Sequence, residues 1–419
     1  MLDFSDAPYQ FFEAQPSRPL IWLGRNLNRH FVVPGRNHQV QELIIDGDLE
    51  STRSSARKGE RILFVMNHPS HSDPQVITEV HRRLGIPSCF MAAYDVFLRG
   101  KISAWSMQKL GHFSIDREGS DRKAMSAAIA VLTQGDYALD IFPEGNVYLT
   151  NDRVTPFLDG TAFIALQAQK KMKEAPLKII PISLKLTHLT LPHETVRARL
   201  KKLGEDSGHT YSPGADPISA IMGLGAHLVS DFLSNHGFDH SISADPDSLP
   251  SALTDFTTAL VSELESALDL SPSADQTLVD RIRKVRSTIH QLKTTESDSP
   301  VRDDINQLAD KAILAFRIHG YLTPYLIDNP TVDRFEETVE RIAEDFYSHA
   351  MPRTGARRAY AHVHSPINVS DYLNAAEGKI RNAVSSLTAD MESHIQQGID
   401  GINASNDTPG SRSLEELPT

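Results

Sequence analysis

The chain has 419 residues, enough for one large or two ordinary domains with a substantial core. Its formal charge of −12, from 42 Lys and Arg against 54 Asp and Glu, argues against a nucleic-acid binder, which needs concentrated cations. A single cysteine, Cys89, excludes a disulfide framework and a cysteine-based zinc centre and fits a reducing, cytoplasmic setting.

The opening "MLDFSDAPYQFFEAQPSRP" has an early acidic residue and no basic stretch leading into an apolar core, so it does not read as a secretory signal. No apolar run approaches the roughly 18 to 20 residues of a spanning helix, so any dealings with lipid are expected at a membrane surface. Residues 1–60 are mixed and helical in part. "PLIWLGRNLNRHFVV" is their apolar and basic portion, and "DGDLESTRSSARKGE" reads as a polar link.

"RILFVM" (61–66) is a short, β-branched apolar run of the kind that forms a buried strand. It leads into "MNHPSHSDP", and "PQVITEVHRRLG" then reads as a helix, with Asp73 as cap, Pro74 at the first position and Gly85 as stop. The alternation continues through "PSCFMAAYDVF" (strand and turn), "ISAWSMQKLG" (helix), "HFSIDR" (strand), "GSDRKAMSAAIAVLTQG" (helix), "YALDIFPEG" (strand), "GTAFIALQAQKK" (helix) and "LKIIPISLKL" (strand). Strands and helices at this spacing predict an α/β core over 61–190, a central β-sheet flanked by helices, with functional residues at strand ends.

From about 191 to 355 the pattern becomes helical and strand signals almost vanish, without a repeat of fixed period. "RRAYAHVHSPINV" returns to strand and turn before a final helix over 356–400, and 401–419 reads as a flexible tail.

Three readings compete for "MNHPSHSDP". His68 and Asp73 are placed to act as a general base and the carboxylate that orients it, with the substrate's own hydroxyl as nucleophile. His68, His71 and Asp73 also form a candidate ligand set for a metal-dependent hydrolase, although an H-x-x-H spacing is weakly specific. Ser70, Ser72 and Asp73 are equally good capping residues for a plain turn. Two other strand ends carry chemistry. Arg117 in "GHFSIDRE" has the planar fork that suits phosphate, its ordinary alternative being an ion pair with Asp116 or Glu118. In "FPEG", Pro143 and Gly145 shape a turn around Glu144.

In order and type these blocks resemble the four motifs of the glycerophospholipid acyltransferases, the 1-acylglycerol-3-phosphate acyltransferase-like family. Asn67, His68 and Asp73 match its N-H-x4-D motif, Gly111 and Arg117 its second block, Phe142 to Gly145 its third, and Pro181 its fourth. The resemblance covers about 60–190 and implies His68 as general base, Asp73 as its partner, and Arg117, Glu144 and Gly145 on the acceptor side. "VHSPINV" resembles a segment that normally follows the fourth block closely, which makes 191–355 an all-helical insertion within the catalytic domain. "FPEG" continues with Asn146-Val147-Tyr148 where members acting on glycerol phosphates often have Thr-Arg-Ser, and Arg153 is the candidate replacement.

The implied reaction is acyl transfer from acyl-CoA or acyl carrier protein, with no bound cofactor, to a lysophospholipid, first of all 1-acylglycerol 3-phosphate. Glycerol 3-phosphate or another lysophospholipid is the alternative acceptor, and an inactive helical scaffold the alternative of another class. The implied place is the cytoplasm, peripherally on the inner face of a membrane, through "PLIWLGRNLNRHFVV" or "VRARLKKLG"; ordinary core packing of those stretches is the rival reading.

Overall fold

The computed structural model describes residues 9–117, 119, 121–172, 175–210, 216–235, 248–273, 276–295, 299–321 and 324–414. The chain divides into two compact units, one of Tyr9–Thr190 with Gly355–Ser411 and one of Leu191–Thr354 joined by 412–414.

The first unit is an α/β domain. Its strands are β1 (Val40–Gly47), β2 (Arg61–Met66), β3 (Ser88–Ala93), β4 (His112–Ile115), β5 (Ala138–Ile141), β6 (Leu177–His188), β7 (Arg357–Val363) and β8 (Ile367–Asn368). They form one mixed sheet in the order β1-β7-β6-β2-β5-β3-β4, with β8 also on β6. β6, β2, β5, β3 and β4 run parallel, whereas β7 is antiparallel to β6 and parallel to β1. The first six helices are α1 (Arg18–Leu27), α2 (Leu49–Arg57), α3 (Asp73–Leu84), α4 (Lys101–Lys109), α5 (Arg122–Gln134) and α6 (Gly160–Met172).

β2 is apolar at successive positions because both its faces are covered. Ile62, Phe64 and Met66 join Val76, Ile77 and Val80 of α3 in one core, while Leu63 and Val65 join α5, α6 and the C-terminal helices in the other. Beyond Met66, which pairs with Ile182, strand β6 would run on with an unpaired edge. Side-chain amides replace the missing strand: Asn67 accepts from Leu184 N–H at 2.8 Å and donates to Leu184 O at 2.9 Å, and Asn151 does the same for Leu186.

The second unit is helical: α7 (His193–Ser207), α8 (Pro217–Asn235), α9 (Leu249–Ala267), α10 (Leu278–Thr295), α11 (Ser299–His319), α12 (Tyr325–Asp328) and α13 (Val332–Tyr347). α8 to α11 share one apolar core, and α7, α8, α12 and α13 share another. In the chain, all of this lies between β6 and β7. Two helices, α14 (Val369–Ala375) and α15 (Ile380–Ser405), then return to the first unit. Among the described residues no helix is long and apolar enough to cross a membrane.

Three local expectations change. The polar link forms helix α2, and strand β1 precedes it and ends in its first two residues; β1 buries only Val40 and Ile45, and α2 buries only Thr52 and Ser55, so neither carries a legible apolar pattern. The final helix is two, broken at Glu377 and Gly378, both with positive φ. The tail expected from 401 is ordered through 414, with Thr408 buried and its hydroxyl 2.6 Å from that of Thr187; 415–419 lie outside the described residues.

Candidate active site

The parallel strands β2, β3, β4 and β5 end on the same edge of the sheet, and the loops leaving them carry His68, Asp95, Arg117 and Glu144. Helix α3 begins at Asp73, one residue before the expected start, with Pro74 second. The Asp73 carboxylate therefore turns back into the loop. One oxygen, Oδ2, lies 2.8 Å from His68 Nδ1 and accepts from Ser70 N–H at 2.8 Å. The other, Oδ1, has no hydrogen-bond partner among the described residues. Asp73 is fully buried, which raises its carboxyl above the ordinary carboxylate range, opposed by the His68 and Ser70 donors.

Two further His–Asp contacts show why exposure matters. His81 and Asp140 meet at 2.8 Å with side chains 1% and 0% exposed, sealed from any substrate, whereas His362 and Asp46 are open at 36% and 59%. The His68 side chain is 17% exposed over a carboxylate at 0%: one nitrogen is held in a dry environment and the ring still reaches solvent. Its ring stacks on Phe142, centroids 4.2 Å apart.

"FPEG" stands behind this histidine. Glu144, expected on the acceptor side, is buried; it accepts from His68 N–H at 2.9 Å and from Thr155. Burial pushes its carboxyl up to about 8. Pro143 O accepts from Leu158 N–H, and Gly145 turns the chain at φ +77°, where a Cβ would come within 2.9 Å of Leu158. Gly111 takes φ +94° at the entry to β4, where a Cβ would stand 3.1 Å from Ser88 O. Pro181 lies inside β6 opposite Val65, and its carbonyl accepts from His364 N–H.

Arg117 bonds Asp95 at 3.1 Å and Asn146 at 2.6 Å; Glu118, one of the two acidic neighbours expected as its ion-pair partner, lies outside the described residues. Asn146, the residue after Gly145, thus holds the arginine beside the turn that carries Glu144. Arg153 is exposed farther along the same loop, between Asp152, paired with Lys185, and Val154, whose N–H donates to Gln396. No hydrogen bond or ion pair of its side chain ties it to His68 or Arg117.

Sequence reasoning missed Arg357. From the start of β7 this buried guanidinium donates to Ser72 Oγ at 2.7 Å, Ser70 Oγ at 3.4 Å and His38 O at 2.6 Å, and His38 Nδ1 meets Ser72 Oγ at 3.0 Å. The serines that read as capping residues anchor the loop instead: Ser72 makes no cap hydrogen bond. Its 285-residue separation from Ser72 leaves no local signal. Replacing Arg357 with Met is expected to lower kcat about 10²-fold through a displaced His68 loop, with KM little changed; Arg357→Lys, which keeps the charge but not the fork, should recover only part. Steady-state kinetics with folded variants checks this, and unchanged kcat in the Met variant would remove the anchoring role.

As to metal, His68 Nδ1 is engaged by Asp73, and among the described residues no three His, Cys, Asp or Glu side chains gather into a metal-holding group.

No curated protein matches the chain. A protein-family model described as Acyltransferase matches residues 49–185, which run from α2 into β6 and include every motif residue from Asn67 to Pro181 but neither β1 nor Arg357. Residues 49–185 are thus similar to an acyltransferase domain, which supports acyl transfer in lipid metabolism as the chemistry of this part of the chain.

Proposed function

We propose that the protein moves a fatty acyl group from a thioester, on coenzyme A or acyl carrier protein, to the hydroxyl of a lysophospholipid, 1-acylglycerol 3-phosphate before others, giving phosphatidate. The observation that carries this reading is His68, bound at Nδ1 by a buried carboxylate and partly open at its ring. An ionised Asp73 takes the Nδ1–H and leaves Nε2 with its lone pair. Nε2 removes the acceptor hydroxyl proton as oxygen attacks the thioester carbonyl. The tetrahedral intermediate collapses, the C–S bond breaks, and the thiolate leaves with the proton returned from Nε2; an ester remains.

Glu144 and Gly145 set the backbone on which His68 rests. Arg117, whose partner Asp95 is partly exposed, is the cation for an acceptor phosphate, with Arg153 second on the same loop. The reading places the protein on the cytoplasmic surface of a membrane, where acyl thioesters meet lysolipid.

The test is mass-resolved acyl transfer by the purified chain with both donors and a panel of lysophospholipids plus glycerol 3-phosphate. Phosphatidate formed fastest from 1-acylglycerol 3-phosphate is expected. Preference for another acceptor would overturn the headgroup; fatty acid release that stops on chelation and returns with a divalent ion would favour the hydrolase; no product with any pair would sink acyl transfer.

A further inference from the structure

We propose that the face formed by α1, the turn after it and α4 docks the protein on an anionic lipid surface. The inference draws its purpose from the lipid acceptor proposed above, but its argument is independent of the reaction. A helix on a globular domain ordinarily turns its apolar stripe inward. α1 buries a single apolar side chain, Ile21, and its other ties to the domain are polar: Arg25 donates to Ile86 O at 2.7 Å, and in the turn after it the buried Asn28 donates to Gln75 O at 2.9 Å.

Its outward groups are apolar. Trp22 is 69% exposed and Phe31, in the π-helical turn Asn28–Val32, 71%, with Leu23 and Leu27 between them. On α4, Ile102 is 83% and Trp105 52% exposed. The two elements adjoin: Ser17 N–H donates to Lys109 O, Gln15 N–H to Gln108 O, and Gly24 lies against Leu110. Of the ten large apolar side chains exposed among the described residues, eight lie on α1, its π-turn, or Leu98 to Trp105. Such a concentration marks an interaction surface.

Charge selects the occupant. Residues 14–41 contain four arginines and 96–115 contain Arg99, Lys101 and Lys109, and neither stretch contains an Asp or Glu, in a chain of net charge −12. Aromatic and aliphatic side chains flanked by arginine and lysine, on a helix lying along the surface, match the boundary between anionic headgroups and acyl chains. The face also borders the site: Asn28 bonds α3, which opens with Asp73, and Asp95, in the 3-10 turn leading into α4, bonds Arg117. Docking there brings the acceptor's own phase to the ends of the parallel strands.

The test is flotation of the full chain with phosphatidylcholine vesicles, with and without phosphatidylglycerol, for wild type and a variant carrying Trp22→Ser, Phe31→Ser, Ile102→Ser and Trp105→Ser. Turnover of a short-chain, monomerically dispersed lysolipid and sedimentation without vesicles are measured alongside. Expected are wild-type binding to the anionic vesicles that weakens with salt, partition lowered about 10²-fold or more in the variant, and equal turnover of the dispersed acceptor by both. Arg29→Glu with Lys101→Glu should weaken binding to anionic vesicles alone. Wild type that ignores anionic vesicles, or a folded variant that floats as well as wild type, overturns the proposal. Self-association lost in the variant, without vesicle binding, assigns the face to a second copy and overturns it too. Vesicle binding without turnover of any acceptor would leave docking standing and remove the reaction; turnover without binding would do the reverse.

Discussion

Replacing His68 with alanine is expected to lower kcat by roughly 10²- to 10⁴-fold, the range of a lost general base, with the fold intact. The ring packs on Phe142 but is partly exposed, so its removal leaves no sealed cavity, and the backbone N–H that Glu144 receives is retained. Asp73→Asn should cost a similar factor for a different reason. Its amide can present an N–H to His68 Nδ1, stabilising the tautomer that protonates Nε2, the nitrogen required to accept the substrate's proton. The double variant should therefore be little worse than either single one, because the pair acts as a unit. Single-turnover transfer with the best acceptor reads the chemical step, and wild-type rates in a folded His68→Ala would end the general-base role.

The second large effect is on stability. Glu144 has an ordinary value of 4.5 and is pushed up to about 8 by burial, so the folded chain keeps its proton where the unfolded chain releases it. The contribution is fully present below about pH 4.5 and is lost as pH rises through about 8; burial of Asp73 acts in the same direction. At about 1.4 kcal/mol per pH unit, the unfolding free energy should fall by a few kcal/mol between pH 5 and pH 9. Glu144→Gln, a neutral isostere that still accepts from His68 N–H, should flatten this slope. Glu144→Ala, which orphans the His68 and Thr155 donors, should destabilise by about 2 to 5 kcal/mol across the range. Denaturant titrations at several pH values check both; identical slopes for wild type and Glu144→Gln would show that Glu144 is not the group responsible.

Both experiments concern residues visible in the sequence, while much of what holds them was not. β2 and β6 were legible because both faces are buried and apolar residues follow one another at 62–66 and 179–182, and the junction between β2 and α3 was marked by Pro74 and Gly85. That His68 and Asp73 would meet followed from five residues of separation across a bend. β1 and α2 escaped because a half-exposed edge strand and a helix that buries only Thr52 and Ser55 leave no period to read. The partners of Arg117 and the hold of Arg357 on the loop join different strands, and periodicity within one element says nothing of its neighbours. Glu144 was found, with backbone and substrate both open as donors to its carboxylate; the fold turns it inward to the His68 backbone.

Placing the helical unit between β6 and β7 also sets the order in which the domain is completed during synthesis. Among the described residues β1 pairs only with β7, and Glu42 must wait for Arg358, 316 residues later. At about 5 to 20 residues per second, the nascent chain carries an open strand edge for roughly 15 to 60 s. The anchor of the His68 loop, Arg357, leaves the ribosome in the same late segment. The molecule thus passes through translation with His68 made early and its loop anchored last, a built-in delay between having the residues of the site and holding them in place.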